Sequence, residues 1–370
     1  MGIAVTGCAP PPTRAPQPFA AATDTLVLLA TTDVHGWLLP TDYVTGRSVP
    51  FGLARLAPAI DSVRRRHPGA TLLVDAGDFL QGTPLAYVHA RAPGLHPVVA
   101  AMNALGYDAA ALGNHEFNYG LEVLERTRRQ ARFPWLSANI VRAGTNAPAF
   151  LPYVLVERRL RGGLVRVALV GATTPGVAIW DRDHVRGRLV FRSVVEGVER
   201  AVTAARSAGA DLVVVIAHSG LEGSSYDTTQ FRLPAENAVR EVARRVPGID
   251  VVVFGHTHRE FAGDEAGVLL VQPRNWAQSL AAVTLVLERR AGRWQLQSRR
   301  ADFLRPDPAR VDTALVRLLA TADARTRAFV NQPLGWSPVE WSARTARVED
   351  TPLLDFLNEV QRRVSGAQLA

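Results

Sequence analysis

Five short polar motifs along this chain carry side chains of the kinds that bind metal ions. In chain order they are Asp33-Val34-His35, Gly77-Asp78, Gly113-Asn114-His115-Glu116, Ala217-His218 and Gly255-His256-Thr257-His258. A pair of divalent cations about 3.5 to 4 Å apart needs hard oxygen ligands, imidazoles and usually a bridging carboxylate. The five motifs supply this set and therefore predict a two-metal hydrolase site.

Within these motifs, Asp33 and His35 can reach a common ion from one strand end, and Asp78 is the natural bridge between two ions. The predicted metal ligands are Asp33, His35, Asp78, Asn114, His218, His256 and His258. One such motif alone would be weak evidence, but five in one chain strengthen the prediction. Asp, Asn and His side chains suit Mn, Zn, Fe, Co or Mg, so the residue types leave the identity of the metal open.

Short runs of Val, Leu, Ile and Ala precede the motifs, as expected of strands buried on both faces. These predicted strands are 26–31, 71–74, 109–112, 212–216 and 251–254, with further strands at 135–139, 153–157, 165–171, 268–272 and 281–287. Helices are predicted at 51–66, 96–105, 121–131, 194–208 and 236–246. The alternation indicates an α/β layered domain. Because such sheets place sites at the carboxyl ends of strands, we expect the motifs to meet there.

The charge of the chain raises a second class of function. The net charge is +8 and the sequence pI is about 10.5, values that are compatible with nucleic-acid binding. All 42 basic residues are Arg, however, and they are scattered along the chain without a recognised reader motif. We therefore expect no nucleic-acid partner. The hydrophobic content of 47% is ordinary for a globular core.

Cys8, the single cysteine, excludes an internal disulfide and a cysteine-based zinc site. The segment Val5-Thr6-Gly7-Cys8 resembles a bacterial lipobox, and a stretch rich in Pro and Ala follows it. We expect an exported, periplasmic or cell-surface protein that is attached to a membrane through lipidated Cys8. Only a few residues precede the cysteine, so we also expect the true start to lie upstream. The alternative is a stretch of small residues with no such role.

The motifs identify the chain as similar to calcineurin-like metallophosphoesterases of the 5'-nucleotidase superfamily. Within that superfamily the chain most resembles the bacterial 2',3'-cyclic-nucleotide 2'-phosphodiesterase/3'-nucleotidase branch. The segments that carry the resemblance are 113–121, 180–187, 236–237, 246–250 and 254–258, together with Pro273 and Trp276. The resemblance implies a four-layer α-β-β-α sandwich and a nucleotide or cyclic nucleotide as substrate.

The resemblance also implies roles for individual residues. Asp33, His35, Asp78 and His258 would hold one ion, and Asp78, Asn114, His218 and His256 would hold the other. A metal-activated hydroxide would attack phosphorus in line. His115 would contact the phosphate as a catalytic residue, the alternative being a purely structural imidazole.

Asn118 departs from the 5'-nucleotidase branch, which typically has Asp at this position beside the catalytic histidine. An Asn side chain can orient an imidazole, but it cannot stabilise the imidazolium as a carboxylate does. Asn118 is therefore predicted to act with His115, and it favours the cyclic-phosphodiesterase branch. Glu116 is predicted to orient backbone rather than to act as a base.

The resemblance divides the chain into four parts. These are a lipoprotein-like leader and Pro-rich tether at 1–24, the catalytic domain at 25–305, a linker helix at 306–332, and a fragment of the C-terminal substrate domain at 333–370. In relatives the C-terminal domain stacks the nucleobase between aromatic residues, and 336–363 resembles only its beginning. The alternatives to cyclic phosphodiesterase activity are a 5'-nucleotidase or nucleotide-sugar hydrolase, and an inactive nucleotide- or metal-binding surface lipoprotein.

Overall fold

The computed structural model describes residues 23–145 and 147–369. Cys8 and nearly all of the predicted leader lie outside these residues, so their predicted roles stay predictions. The chain divides between Val330 and Asn331 into two compact units. In the described part of the chain, no helix combines the length and the apolar character that crossing a membrane requires.

Fourteen strands and eleven helices are present in the described residues. The strands are β1 Thr23–Thr31, β2 Thr71–Asp75, β3 Ala109–Ala111, β4 Trp135–Leu136, β5 Ile140–Arg142, β6 Tyr153–Leu160, β7 Gly163–Thr173, β8 Leu189–Phe191, β9 Leu212–His218, β10 Val251–Phe254, β11 Phe261–Glu265, β12 Val268–Gln272, β13 Leu280–Arg290 and β14 Arg293–Leu304. The helices are α1 Leu53–Arg66, α2 Pro84–Ala90, α3 Pro97–Leu105, α4 Leu121–Gln130, α5 Val177–Trp180, α6 Arg182–Val185, α7 Val194–Ser207, α8 Thr228–Phe231, α9 Val239–Arg245, α10 Thr313–Val330 and α11 Pro352–Ser365.

Two six-stranded sheets form the centre of the first unit. The strand order is β14-β13-β1-β2-β3-β4 in one sheet and β11-β12-β10-β9-β7-β6 in the other. The motif-bearing strands β1, β2 and β3 are parallel neighbours in the first sheet. Strands β9 and β10 are parallel neighbours in the second. The motifs at the carboxyl ends of these five strands can therefore contribute to one site.

Three apolar cores separate the layers. Leu28 and Val74 of the first sheet pack with Val214 and Val253 of the second, so one core lies between the sheets. A second core joins the outer face of the first sheet to α1, α3 and α4. The third joins the second sheet to α7 and α9. The order helix, sheet, sheet, helix confirms the predicted four-layer α-β-β-α sandwich.

The predicted elements are present, with ends that differ by a few residues. The structure adds strands and helices that were not predicted, namely β5, β8, β11, β14, α2, α5, α6, α8 and α11. Strand β14 was not predicted, because its arginines hide an alternation in which Trp294 is buried beside exposed neighbours. Helix α10 begins at Thr313 and buries Leu315 and Leu319 in the core beside α1 and α3. The predicted linker helix is thus also a packed element of the first unit.

The described residues of the second unit, 331–369, contain one helix, α11. The Thr351 side chain accepts a hydrogen bond from Leu354 N at its start, and Gly366 ends it in the left-handed conformation. Trp341 and Phe356 stack with ring centroids 4.4 Å apart. No α11 residue is buried, although one face is apolar. The assignment of 333–370 as a domain fragment stays a prediction.

Candidate metal centre

The seven predicted ligands lie in loops or at strand ends on one side of the two sheets. Asp33 and His35 follow β1, Asp78 follows β2 and Asn114 follows β3, whereas His218 ends β9 and the remaining two histidines follow β10. Five of the seven have positive φ angles, namely Asp33, His35, Asp78, His256 and His258. This left-handed conformation is unfavourable for residues other than glycine, and such residues cluster at functional sites. The surrounding structure therefore holds these loops in unfavourable conformations, which is consistent with a functional site.

Asp33, His35 and His258 form one cluster. The Nε2 atom of His258 lies 3.3 Å from Asp33 Oδ1 and 3.0 Å from His35 Nε2. The Nε2 atom of His35 is 4.0 Å from Asp33 Oδ1. Three side chains that are distant in sequence thus direct ligand atoms towards one point, and a single cation could contact all three.

A second cluster surrounds Asp78. The Nε2 atom of His218 lies 2.9 Å from Asp78 Oδ2 and 3.1 Å from Asn114 Oδ1. His256 completes this cluster. The same Asp78 oxygen is 4.0 Å from His35 Nε2 in the first cluster. Asp78 therefore lies between the two clusters, as the predicted bridging role requires.

Hydrogen bonds on the far side of the imidazoles set which nitrogen faces the centre. The Nδ1 atoms of His35 and His218 lie 2.7 and 2.8 Å from the carbonyl oxygens of Gln81 and Ala76. Each Nδ1 therefore donates to a carbonyl, which leaves Nε2 as the nitrogen directed at the cluster. In these two residues the nitrogen available to a metal is the one that faces the cluster.

Glu236 gives His256 the opposite orientation. Its Oε1 atom lies 2.7 Å from His256 Nε2, so Nδ1 is the nitrogen left for a cation. Burial alone would raise the pKa of Glu236, but hydrogen bonds from His256 and Ser225 lower it to about 2. A carboxylate behind a ligating histidine is a common feature of metal sites. Sequence reasoning quoted Glu236 only as part of a family segment and missed this role.

Glu116 holds the loop that carries Asp78. Its buried carboxylate accepts backbone hydrogen bonds from Asp78, Phe79 and Leu80 at 2.8 to 3.0 Å, and from Gly113 at 2.7 Å. All these donors belong to the loops after β2 and β3. The contacts agree with the prediction that Glu116 orients backbone and does not act as a base.

The loops also approach so closely that Gly113 has no room for a side chain. A Cβ atom there would lie 2.1 Å from Asp78 Oδ1 and 2.5 Å from Asp78 N. The backbone N–H of His115 donates to Asp78 Oδ1 at 2.8 Å across the same gap. The glycine of the Gly113-Asn114-His115-Glu116 motif is therefore a requirement of the site.

The charges of the centre are strongly coupled. Burial would raise the pKa of Asp78, but the charge and hydrogen bond of His218 hold it well below its usual value. Burial likewise favours neutral His218, yet the Asp78 carboxylate outweighs it and raises the His218 pKa to about 10. Without metal, the pair thus keeps a proton at neutral pH. A cation must displace that proton, so metal affinity should fall as the pH falls.

The predicted catalytic pair lies at the edge of this centre. The Nε2 atom of His115 is 3.9 Å from Asp78 Oδ2, and its side chain is 34% exposed. Its Nδ1 atom is 2.5 Å from Asn118 Oδ1, and Asn118 Nδ2 donates to Asp181 Oδ1 at 2.9 Å. The structure therefore brings His115 and Asn118 together and adds Asp181, a residue that the sequence analysis did not single out.

Aromatic side chains flank the centre on two sides. Trp276, for which the sequence analysis assigned no role, packs against Trp37 and Phe51 with ring centroids 5.5 and 5.9 Å away. Its backbone N–H donates to Asp33 O at 2.8 Å, so this aromatic cluster supports the loop that carries Asp33. Trp180 lies over the His256 ring at 5.7 Å and is 42% exposed.

The donor set fits divalent cations. Carboxylate oxygens, an amide oxygen and imidazole nitrogens are the ligands that Mn, Zn, Fe and Co accept. The Nε2 atoms of His35 and His258 are only 3.0 Å apart, and the Nδ1 proton of His35 is held by Gln81. Two ring nitrogens that face each other in this way, beside Asp33, could be shared by one cation.

Comparison with known proteins agrees with this geometry. Residues 26–260 match the family described as calcineurin-like phosphoesterase. The chain is 34% identical to the 2',3'-cyclic-nucleotide 2'-phosphodiesterase/3'-nucleotidase of Yersinia enterocolitica, over 92% of this chain and 56% of that protein. The Salmonella typhimurium enzyme of the same name is also 34% identical, over 92% and 57%. The chain thus spans about half the length of these curated relatives.

Solved structures show the same fold. The calcineurin-like phosphoesterase YfkN from Bacillus subtilis superposes with a TM-score of 0.77 and 30% identity, covering 84% of this chain and 100% of that chain. The 5'-nucleotidase precursor from Thermus thermophilus gives a TM-score of 0.70 and 25% identity, over 93% and 68%. Both similarities extend over most of the described residues.

Proposed function

The chain belongs to the calcineurin-like phosphoesterase family, and we propose that it hydrolyses nucleotide phosphoesters with two divalent cations. We propose 2',3'-cyclic nucleotides and 3'-nucleotides as the substrates. The observation that carries this proposal is that Asp78 Oδ2 lies between the two ligand clusters, 4.0 Å from His35 Nε2 and 2.9 Å from His218 Nε2, with His115 beside it. The names of the bacterial relatives and Asn118 support the choice of substrate.

In this proposal Asp33, His35, Asp78 and His258 would hold one cation, and Asp78, Asn114, His218 and His256 would hold the other. When bound, such a pair supplies a nucleophile at neutral pH and neutralises charge on the phosphoryl oxygens. The protein fixes the orientation of the His218 ring through the hydrogen bond from Nδ1 to the carbonyl oxygen of Ala76. Because Asp78 raises the pKa of His218 to about 10, His218 would have to lose a proton when a cation binds. Manganese, zinc, iron, cobalt and magnesium remain candidates.

His115 would act on the phosphoryl group directly. Its Nδ1 is occupied by Asn118, so Nε2 is the atom that can face a phosphoryl or leaving oxygen, and it would donate to that oxygen when the ring carries a second proton. This Nε2 lies 3.9 Å from Asp78 Oδ2 and the side chain is 34% exposed, which supports contact with a substrate held by the cations.

The decisive experiment compares four substrates after chelation and resupply of Mn²⁺: 2',3'-cyclic AMP, 3'-AMP, 5'-AMP and bis(p-nitrophenyl) phosphate. The proposal expects metal-dependent turnover of the first two, above that of 5'-AMP. Preference for 5'-AMP would instead favour a 5'-nucleotidase. No turnover of any substrate by metal-loaded protein would favour the inactive binding protein.

Replacement of His115 by Ala should lower kcat by a factor of about 10² to 10⁴, the usual range for loss of one acid-base group. Bound metal should stay unchanged, because the predicted ligands do not include this side chain. His67→Ala at the end of α1 is the control and should retain activity. Loss of metal from the His115 variant would show that the imidazole is structural.

We further propose export and attachment to a membrane through lipidated Cys8. The support is the lipobox-like segment Val5-Thr6-Gly7-Cys8 and the Pro-rich stretch after it. Labelling of cells with a radioactive fatty acid should mark the protein expressed from a longer gene segment, and Cys8→Ser should abolish the label. An unlabelled wild-type protein would contradict the proposal.

A further inference from the structure

Asp181 lies behind the predicted catalytic pair and forms the end of a three-residue chain of hydrogen bonds. Asn118 Nδ2 donates to Asp181 Oδ1 at 2.9 Å, and Asn118 Oδ1 is 2.5 Å from His115 Nδ1. The residues come from two separate segments, the loop after β3 and the junction of α5 and α6. The inference below rests on the proposed function, since it assumes that His115 acts in catalysis.

The chemistry of Asp181 sets the direction of the whole chain. An Asn side chain has one donor end and one acceptor end, and its direction must follow from its partners. Burial raises the pKa of Asp181, but its Oδ1 atom accepts a hydrogen bond from Asn118 Nδ2 at 2.9 Å. A carboxylate only accepts hydrogen bonds, so in that form Asp181 requires the NH₂ group of Asn118 to face it. The carbonyl oxygen of Asn118 must then face His115, which requires a proton on Nδ1. Nε2 is left as the nitrogen that exchanges a proton or hydrogen bond with a substrate.

Asp181 does not have an evident structural role. It occupies the N-cap position of α6, yet its side chain makes no capping hydrogen bond. It is only 6% exposed, and its Oδ2 atom has no hydrogen-bond partner among the described residues. A buried carboxylate with an unsatisfied oxygen costs free energy. The Asp181 side chain therefore does not stabilise the start of α6. Its hydrogen bond is to Asn118.

We propose that Asp181 is a positioning residue that fixes the amide direction of Asn118 and thereby the tautomer and orientation of His115. A carboxylate that reaches the histidine through Asn118 would then do part of what the carboxylate next to the histidine does in the 5'-nucleotidase branch. Because Asn118 separates the two, Asp181 orients the imidazole without contacting it.

The first test is a double-mutant cycle measured with bis(p-nitrophenyl) phosphate and Mn²⁺. Asp181→Ala should lower kcat about tenfold and change KM less than twofold, because it leaves the predicted metal ligands in place. The double variant with Asn118→Ala should be no worse than Asn118→Ala alone, since both act through one path. Asp183→Ala, which removes an exposed carboxylate two residues away, is the matched control and should keep activity. Unchanged kcat in Asp181→Ala, or additive losses, would overturn the proposal.

The second test exchanges the two side chains. Asn118→Asp alone places two carboxylates within hydrogen-bond distance of each other and should impair activity. Adding Asp181→Asn provides an NH₂ group towards the carboxylate introduced by the first substitution, so the double exchange should recover most of the activity. Failure of the second substitution to improve the first would contradict the positioning role. If Asp181 had a purely structural role, Asp181→Asn would lower the melting temperature, and the double exchange would not restore it.

A third measurement does not depend on activity. In metal-free protein with ¹⁵N-labelled histidine, at a pH where the ring is neutral, His115 should carry its proton on Nδ1 in the wild type. In Asp181→Ala the two tautomers should mix. The same Nδ1 tautomer in both proteins would overturn the proposal. If wild-type protein with bound metal hydrolyses no ester, the proposed function fails, but the tautomer measurement still decides the role of Asp181.

Discussion

At the scale of single residues, the candidate centre depends on which atom each side chain presents. Backbone carbonyls hold His35 and His218 by Nδ1, whereas Glu236 holds His256 by Nε2. A histidine with the wrong nitrogen facing inwards would offer a proton instead of a lone pair. The groups behind the predicted ligands would therefore be as necessary to a metal centre as the ligands themselves.

Glu236→Gln should weaken metal binding about 10- to 100-fold, the usual effect of losing a carboxylate behind a ligating histidine. The substitution keeps the shape but removes the negative charge that makes His256 a stronger ligand. Metal content after dialysis against a graded series of Mn²⁺ concentrations measures the change. Glu222→Gln, at an exposed pair with Arg240, is the control. Equal metal content in both variants would show that Glu236 does not support the centre.

At the scale of elements, two loops after parallel strands meet so tightly that only a glycine fits between them. Gly113→Ala should displace Asp78, because the new methyl group would approach its backbone nitrogen to 2.5 Å. We expect loss of bound metal and a destabilisation of roughly 1 to 3 kcal/mol, as for other overpacked sites. Metal analysis and thermal unfolding measure both.

Gly335→Ala is the control for this substitution. A Cβ atom at Gly335 has no neighbour within 4 Å, so no loss of metal or stability is expected. If Gly113→Ala bound metal like the wild type, the loop would be more adaptable than the close contact to Asp78 implies.

Strand β2 ends at Asp75, a buried acidic residue that, unlike Asp78, is not among the predicted ligands. Burial raises its pKa to about 8 from an ordinary value of 3.8, although Thr31 and Gly77 donate hydrogen bonds to it. The folded protein therefore keeps the proton over a range in which the unfolded chain has lost it. The stability of the folded state should fall as the pH rises from about 4 towards 8.

Asp75→Asn removes this pH dependence. Each pH unit corresponds to about 1.4 kcal/mol, so the variant should gain on the order of 3 kcal/mol relative to wild type between pH 5 and pH 7. Urea unfolding of the metal-free proteins at several pH values measures this difference. Asp61→Asn on α1 is the control. A difference that does not grow with pH would mean that Asp75 is ionised in the folded protein.

At the scale of the whole molecule, the seven predicted ligands and the three apolar cores all belong to the first unit. A chain that ends at Val330 should therefore fold, bind metal and hydrolyse bis(p-nitrophenyl) phosphate within twofold of the full chain. Its melting temperature should agree within about 2 °C. Loss of metal binding would show that the second unit supports the centre.

A chain that ends at Asp312 lacks α10 as well and is the matched comparison. Helix α10 buries Leu315 and Leu319, which are 3% and 1% exposed. Burial of a leucine contributes about 1.5 to 3 kcal/mol, so we expect a loss of several kcal/mol. A stable protein of this length would mean that α10 is only a linker, as its sequence first suggested.

The amino-acid sequence by itself determined the α/β class, most strands and helices, and the residues that meet at the candidate centre. It could do so because strand periodicity is local, and because each ligand directly follows an apolar run that must be a buried strand. The backbone-orienting role of Glu116 could also be predicted, because Glu116 belongs to the Gly113-Asn114-His115-Glu116 motif.

Only the tertiary structure decided which partners stand behind these residues. Asp181 meets Asn118 across 63 positions, and Glu236 meets His256 across 20. Neither separation is a local period, so no pattern in the sequence marks it. The packing of α10 and the pairing of the arginine-rich strand β14 also depend on the tertiary structure, because the burial of an element depends on the surface that it contacts. The predicted ligands could thus be identified from local sequence, whereas their orientation depends on contacts between residues that are distant in sequence.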